Sequence, residues 1–138
     1  MQWNGERYGG FSEAAPWLSM SARFRKEITV EAQQKDKDSI LAFYKKLIAM
    51  RKTYPVIAEG GISFLETGTD MVLAYQRILG EQQLVVLCNL DGKRQTIKTS
   101  GQWKDFKVLL ENYEGREMVL EEGTFTMEPY GFMVLISK

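Results

Sequence analysis

Carboxylate pairs are the first candidates for chemistry in this chain, because two neighbouring acids can divide the roles of proton donor and base. Three such pairs occur in the sequence: Asp36 with Asp38, Glu111 with Glu114, and Glu121 with Glu122. We interpret the first pair as the start of a helix, where carboxylates accept hydrogen bonds from unpaired amides. The other two pairs are interpreted as exposed turns. We therefore predict no catalytic residue in this chain.

The other side chains that usually do chemistry are scarce. The chain has no histidine and a single cysteine, which leaves no histidine-activated nucleophile and no usual set of zinc ligands. The stretch Asp36-Lys37-Asp38 lacks the glycine-bearing loop of a calcium site. Cys88 ends the apolar run that starts at Leu84, so we expect a buried thiol that reacts slowly. We predict no metal ion and no cofactor.

Length and charge narrow the class of protein. With 138 residues, 44% of them hydrophobic and 26% charged, the chain has the composition of a globular domain, alone or with an appendage. Its net charge is zero at pH 7, whereas nucleic-acid binders usually carry a basic excess. The one dense basic stretch, Arg23-Phe24-Arg25-Lys26, is interpreted as a solvated loop. No apolar run approaches the roughly 20 residues that span a bilayer. We predict neither a nucleic-acid partner nor a membrane partner.

The first third of the chain predicts a long loop followed by one helix. Residues 1–35 are rich in glycine, aromatic residues and turn formers, which is typical of a segment that needs a partner surface. Within them, Ile28–Ala32 alternates and predicts a short extended piece. A helix is predicted over 37–53, because apolar residues recur there at helical spacing. Asp36 is its predicted N-cap, and Pro55 ends it.

From Ile57 onward the pattern predicts strands. They cover residues 60–65, 71–78, 84–90, 93–98, 106–110, about 118–120, 123–127 and 131–136. The dipeptide Asp91-Gly92 predicts a hairpin, since both residues tolerate positive φ. Short strands at such regular spacing indicate an antiparallel sandwich. The predicted fold class is mainly β, an antiparallel β-sandwich preceded by an irregular segment and one α-helix.

A series of short motifs, taken in order, resembles one family. The first motifs are Met1-Gln2-Trp3-Asn4, Gly10-Phe11-Ser12, Pro16-Trp17-Leu18, Ile28 to Gln33, and Leu47 to Lys52 before Pro55. The later ones are Leu84 to Leu90, Leu109-Leu110-Glu111-Asn112-Tyr113, and Met127 to Leu135. The series resembles the α-amylase superfamily of glycoside hydrolases. It is most similar to the branch of oligo-1,6-glucosidases, dextran glucosidases and trehalose-6-phosphate hydrolases.

The resemblance implies how the chain is divided. Residues 1–55 would be the remnant of the end of a (β/α)8 barrel, a loop plus the last helix, and residues 56–138 a C-terminal antiparallel β-sandwich. In that family the catalytic carboxylates and two sugar-binding histidines lie upstream in the barrel. We therefore expect a C-terminal fragment of a cytoplasmic α-glucosidase that hydrolyses short α-glucosides. The fragment would be inactive alone, its partner would be the missing catalytic barrel, and its sandwich would buttress that barrel.

Gln2 and Trp3 are candidate substrate-binding residues, but only together with the barrel. The resemblance implies that their segment lies near the rim of the sugar pocket, on the leaving-group side. Asn4 stands where the family usually has an aspartate, which argues against a charge-dependent role of that position. The alternative, which we favour, is that Trp3 and Trp17 are buried anchors of the loop.

Two other classes of protein remain open. A self-standing carbohydrate-binding sandwich would stack sugar rings on exposed aromatic residues, with Trp103, Tyr113 and Tyr130 as candidates, although core burial is the commoner fate of such residues. Coplanar, exposed rings on one face would identify it. A protein-interaction domain would show a large apolar patch, which the fragment hypothesis also predicts.

The predicted helix carries a broader apolar stripe than one sandwich can cover. Its members are Ile40, Leu41, Phe43, Tyr44, Leu47, Ile48 and Met50, with Arg51 at its end. Residues 1–35 would fold back over the helix, with Trp3, Phe11 and Trp17 replacing the barrel, or two copies would pair through the helix Ile40–Arg51. We favour self-association.

Overall fold

The computed structural model describes residues 1–18, 28–99, 103–113, 120–121 and 123–137, and of residues 120–121 it describes the backbone alone. The basic stretch Arg23-Phe24-Arg25-Lys26 lies outside these ranges, as do Glu114 and Glu122. The chain divides into two compact units, Met1–Thr53 and Tyr54–Lys138. Within the described ranges, no helix combines the length and the apolar character needed to cross a membrane.

The first unit contains a looped segment and two α-helices. A 3-10 helix spans Arg7–Gly10, α1 spans Val30–Lys35, and α2 spans Ile40–Thr53. The predicted extended piece over Ile28–Ala32 is therefore wrong. Thr29 caps α1, and its hydroxyl oxygen accepts a hydrogen bond from the Ala32 amide at 3.1 Å. An alternating pattern over five residues is too short to outweigh such a cap.

Helix α2 begins later than predicted because Ser39, not Asp36, is its N-cap. The Ser39 carbonyl accepts the first helical hydrogen bond from the Phe43 amide at 2.9 Å, and its hydroxyl oxygen accepts one from the Ala42 amide at 3.2 Å. The Asp36 carboxylate instead accepts a hydrogen bond from the Asp38 amide at 2.9 Å, in the turn before the helix. The predicted end of the helix before Pro55 is confirmed, since α2 ends at Thr53.

The second unit opens with a helical turn and continues with strands. Helix α3 spans Val56–Glu59, where the sequence pattern predicted the change to strands. The strands are β1 Gly61–Phe64, β2 Val72–Leu79, β3 Gln82–Asn89, β4 Gln95–Lys98, β5 Lys107–Glu111, β6 Leu120–Glu121, β7 Thr124–Met127 and β8 Phe132–Ile136. Paired strands are antiparallel throughout the described sheets, one ordered β1-β2-β3-β8-β5 and the other β4-β7-β6.

The core of this unit lies between the two sheets. The large sheet contributes Val72, Ala74, Val85, Leu87, Met133 and Leu135, the small sheet contributes Ile97, Phe125 and Met127, and Trp103 packs with them. The predicted alternation of β2 is confirmed, because Val72 and Ala74 are buried while Leu73 is exposed. The predicted class, an antiparallel β-sandwich, is confirmed. The described part of the chain has three α-helices rather than the single one predicted.

A second cluster covers the outer face of the large sheet. Val56 of α3 packs there against Leu84 and Ile136. The Arg77 guanidinium holds the end of α3 by donating to the carbonyl of Gly60 at 2.7 Å. Gly60 is needed for this packing, because a Cβ at that position would lie 2.6 Å from the carbonyl oxygen of Val56.

The predicted hairpin at Asp91-Gly92 is wrong. Strands β3 and β4 lie in different sheets, so the two residues carry the chain from one sheet to the other, and neither has a positive φ. Asn89 holds this connection. Its amide nitrogen donates to the carbonyls of Lys93 at 2.8 Å and Glu128 at 2.7 Å, and its oxygen accepts a hydrogen bond from the Asp91 amide at 2.9 Å. The side chain thus supplies the hydrogen bonds that a hairpin ladder would otherwise make.

Candidate functional site

Gln2 and Trp3, the predicted substrate-binding residues, lie in a backbone segment held on both sides. The Trp3 amide donates to the carbonyl of Gly9 at 2.7 Å. In the other direction, the carbonyls of Gln2 and Trp3 accept hydrogen bonds from the amides of Val30 at 3.0 Å and Glu31 at 2.9 Å. Those two amides open α1 and have no partner within the helix. The segment therefore caps α1 with its own backbone.

A tight loop leads from this segment into the 3-10 helix. The Asn4 Oδ1 atom accepts a hydrogen bond from the Glu6 amide at 3.1 Å. Three consecutive residues have left-handed backbones, with φ of 58° at Tyr8, 66° at Gly9 and 64° at Gly10. A Cβ at Gly10 would lie 2.6 Å from Asn4 Oδ1, so both the space and the dihedral angle require glycine there.

Two surface grooves meet at Gln2. One has a volume of about 610 Å³ and runs beside Val30, Ile40 and Tyr44. The other has a volume of about 520 Å³ and is lined by the rings of Tyr8, Phe11 and Trp17. An amide among aromatic and aliphatic side chains suits a neutral ligand that has both hydroxyl groups and an apolar face.

The favoured interpretation of Trp3 and Trp17 as buried anchors is wrong for this chain. Trp17 is 92% exposed and Trp3 is 48% exposed. Phe11 is likewise exposed, so the three rings expected to replace the barrel do not bury themselves over the helix. The hydrogen bonds of Trp3 fix its backbone, whereas burial of its ring depends on surfaces that the described residues do not provide.

The three carboxylate pairs of the sequence are described only in part. Asp36 and Asp38 are exposed and share a turn, and Glu111 ends β5 with its predicted partner Glu114 outside the described ranges. The side chain of Glu121 and all of Glu122 also lie outside them. Over the residues described, no group of three or more histidine, cysteine, aspartate and glutamate side chains can hold a metal ion.

The predicted sugar-stacking residues of the sandwich do not form a common face. Trp103 is only 4% exposed and belongs to the core, so its assignment as a stacking residue is wrong. The sequence around Trp103 shows no alternation of polar and apolar residues from which burial of this side chain could have been predicted. Tyr113 and Tyr130 are exposed, but the Tyr113 hydroxyl donates to the Pro129 carbonyl at 2.8 Å. Tyr113 therefore has a structural contact at the turn before β8.

Asn112 is a structural residue whose role its sequence motif did not reveal. Its amide nitrogen donates to the Tyr130 carbonyl at 2.9 Å, and its oxygen accepts a hydrogen bond from the Phe132 amide at 2.8 Å. Tyr130 has a φ of 52°, which is uncommon for a residue other than glycine. The order asparagine, then proline-tyrosine-glycine, was the available signal for this turn.

Cys88 is half-buried rather than fully buried as predicted. Its neighbours Leu87 and Asn89 face inward, so the alternation of β3 places Cys88 on the outer face of the large sheet. Burial raises the pKa of the Cys88 thiol above its usual value. The pKa of Tyr75, on the adjacent strand, is raised as well. Burial is the larger cause, and the negative charge of a Cys88 thiolate is the smaller one.

Known families match both parts of this arrangement. Residues 1–60 match the family described as the α-amylase catalytic domain, and residues 72–134 match the α-amylase SusG C-terminal domain. The chain belongs to the α-amylase superfamily.

Within that superfamily the chain is similar to several bacterial enzymes. It is 31% identical to an oligo-1,6-glucosidase of Halalkalibacterium halodurans, over 100% of this chain and 25% of that protein. It is 32% identical to a trehalose-6-phosphate hydrolase of Bacillus subtilis (strain 168), over 97% of this chain and 24% of that protein. The crystal structure of the Bacillus licheniformis trehalose-6-phosphate hydrolase superposes with a TM-score of 0.82 at 31% identity, over 99% of this chain and 25% of that one. The chain thus spans about a quarter of the length of these relatives.

Proposed function

We propose that this chain serves as the non-catalytic C-terminal part of an α-glucosidase that hydrolyses short α-glucosides in the cytoplasm. The observation that carries the proposal is the order of the two family matches, a catalytic-domain match over residues 1–60 followed by a C-terminal-domain match over residues 72–134. The similar oligo-1,6-glucosidase and trehalose-6-phosphate hydrolase support the choice of substrate class. Catalysis would then belong to the whole protein.

The packing of the first unit supports a role as one edge of a larger domain. Helix α2 has 14 residues but no fully buried side chain. Its apolar residues Ile40, Tyr44 and Ile48 are all more than half exposed. Fully burying an exposed isoleucine side chain is worth roughly 1.5–3 kcal/mol, and Ile40 and Ile48 forgo part of it. Since a helix of this length depends on packing for most of its stability, α2 is suited to a covering surface from a catalytic barrel.

The second unit differs, which supports the proposed role of the sandwich as a buttress. Leu87, Ile97 and Leu135 are completely buried in its core. A unit with a closed core can support a neighbouring domain without needing that domain for its own packing. The burial of Trp103 argues against the alternative of a carbohydrate-binding module, because that ring was one of its three stacking candidates.

Gln2 and Trp3 keep their proposed place at the rim of the sugar pocket. Their backbone is fixed by hydrogen bonds to Gly9 and α1, while Trp3 is about half exposed and Gln2 lines both grooves. This combination of a fixed backbone and an available side chain is what a substrate-contacting segment needs. The proposed location in the cytoplasm is supported by the single cysteine of the chain, which permits no internal disulfide.

A chimeric enzyme tests the proposal. The aligned quarter of the Halalkalibacterium halodurans oligo-1,6-glucosidase would be replaced by this chain, because that match covers all of it. We expect the chimera to hydrolyse an aryl α-glucoside and isomaltose, and this chain alone to stay at background. A chimera carrying Phe125→Asp, which places a charge in the sandwich core, is the matched control and should lose thermal stability.

Two outcomes would contradict the proposal. One is a chimera that is folded, as judged by cooperative thermal unfolding, but does not hydrolyse either substrate. The other is turnover by this chain alone that survives repurification and disappears when one of its own carboxylates is replaced.

A further inference from the structure

We propose that Asn4 is a positioning residue, which together with Gly10 forms a latch that fixes the backbone of Gln2 and Trp3. The inference rests on the proposed function, because it assigns the latch to the same substrate-contacting segment. The latch consists of the Asn4 side chain, the carbonyl of Gly9 and the bare Cα of Gly10.

The two sides of the latch fit closely. Asn4 Oδ1 accepts a hydrogen bond from the Glu6 amide at 3.1 Å, which restrains the side chain of Asn4. The position of a Cβ on Gly10 lies 2.6 Å from Oδ1 and 2.7 Å from Nδ2 of Asn4, so that amide occupies the space a side chain at position 10 would need. Any larger residue at position 10 would have to displace Asn4 and break its hydrogen bond.

The latch reaches Trp3 through one carbonyl. The Gly9 carbonyl accepts hydrogen bonds from the amides of both Trp3, at 2.7 Å, and Asn4, at 3.2 Å. Gly9 is buried and left-handed, and it lies directly before Gly10. A shift of Asn4 therefore shifts the carbonyl that holds Trp3. The same shift disturbs the bonds from Val30 and Glu31 to the carbonyls of Gln2 and Trp3.

Position 4 needs a short side chain with an acceptor oxygen, and it needs no charge. Asparagine meets this requirement through Oδ1, and an aspartate carboxylate would offer the same acceptor to the Glu6 amide. Alanine offers none. The structure thus gives Asn4 a role that does not depend on a negative charge, and it predicts that Asn4→Asp preserves the latch while Asn4→Ala opens it.

Amide hydrogen exchange on the full chain measures the latch directly. We expect Asn4→Ala and Gly10→Ala to raise the exchange rates of the Trp3, Val30 and Glu31 amides roughly tenfold, and Asn4→Asp to leave them near those of the parent chain. Gly68→Ala is the matched control for backbone strain, because Gly68 also has positive φ, at 77°, but no atom within 4 Å of its Cβ position. Unchanged exchange in Asn4→Ala would overturn the latch.

The KM of the chimera is a second measurement, which a purely structural role of Asn4 would leave unchanged. We expect Asn4→Ala to raise KM for isomaltose roughly tenfold with little change in kcat, because the affected residues contribute to substrate binding. The unfolding temperature should be that of the parent chimera, and Asn4→Asp should recover the KM. An active chimera whose KM is unaffected by Asn4→Ala would overturn the positioning role. An inactive parent chimera would instead count against the proposed function, and hydrogen exchange would still decide the latch.

Discussion

Three asparagine side chains close turns in this chain, Asn89 and Asn112 through both ends of the amide group and Asn4 through its oxygen. Asn4 closes the loop at the start, Asn89 holds the connection between the sheets, and Asn112 holds the turn before β8. An amide side chain can donate and accept at once, so it can bridge two backbone segments that have no ladder between them. The sequence showed these asparagines beside turns, but it could not show that Asn89 and Asn112 reach the carbonyls of Glu128 and Tyr130, because those carbonyls are distant in sequence.

Asn89 should be the most costly of these to remove. It is 3% exposed, and Asn89→Ala would leave the Lys93 and Glu128 carbonyls without their side-chain donor. We expect a loss of about 2–4 kcal/mol in the free energy of unfolding, measured by urea denaturation. Asn112→Ala deletes the same group at an exposed position and is the matched control, with an expected loss of about 1 kcal/mol. Equal losses would show that burial of Asn89 is not what makes it important.

Cys88 should react slowly with a thiol reagent at neutral pH. Burial raises the pKa of its thiol, so a smaller fraction is thiolate than for a free cysteine, and the rate should climb as the pH rises toward the raised pKa. The comparison is a variant with Cys88→Ala and Glu81→Cys, which moves the thiol to an exposed turn. Reaction of Cys88 at the rate of the Glu81→Cys thiol would contradict the expectation.

At the scale of elements, the strands were easier to predict than the helices. Alternation and apolar runs located β2, β3 and β8 to within two residues at each end, because one face of each is buried in the core. The start of α2 was wrong because Asp36 and Ser39 both suit an N-cap. The choice of Ser39 follows its contacts, since its hydroxyl donates to the Gln33 carbonyl at 2.7 Å while Gln33 Oε1 accepts from the Leu41 amide at 3.0 Å.

Adjacent glycines at the end of α3 allow a matched test of close packing. Gly60→Ala would place a Cβ 2.6 Å from the Val56 carbonyl oxygen, whereas a Cβ at Gly61 would have its nearest neighbour at 3.9 Å. Gly60 has a φ of −62°, which alanine accepts, so the clash alone should cost about 1–3 kcal/mol in the free energy of unfolding. Gly61→Ala should be neutral or slightly stabilising, since it restricts the unfolded chain. Thermal unfolding of both variants checks this, and equal effects would refute the packing argument.

At the scale of the whole molecule, a motif was enough to predict Gln2 and Trp3 as candidate substrate-binding residues, but it could not predict the surfaces around them. Burial of the Trp3 and Trp17 rings depends on which surfaces face them, and periodicity carries no such information. Burial of the apolar residues of α2 likewise depends on which surfaces face them. Their helical spacing was visible in the sequence, whereas the absence of full burial along α2 became visible only in the folded chain.

The exposed face of α2 should make the isolated chain associate with itself. Tyr44 and Ile48 are 60% and 53% exposed and lie one turn apart on that face. We expect the average mass in sedimentation or light scattering to rise with concentration, and Ile48→Glu to reduce this rise by placing a charge on the face. Lys46→Glu, an exposed position on the same helix, is the control and should associate like the parent chain. A chain that stays monomeric at high concentration would contradict the expectation.

Strand β8 lies between β3 and β5 in the large sheet, with both of its edges paired. Leu84 of β3 therefore has no strand partner on that side until Ile136 pairs with it. Strand β5 has no other described neighbour. During synthesis every other described strand leaves the ribosome first. Until β8 follows, the incomplete sheet carries an unpaired edge, which is open to pairing with other chains. Pairing of β8 with β3 closes this edge, and it is slow because the two strands are far apart in the sequence. The interval between the emergence of β3 and that of β8 is therefore when this chain is most open to aggregation.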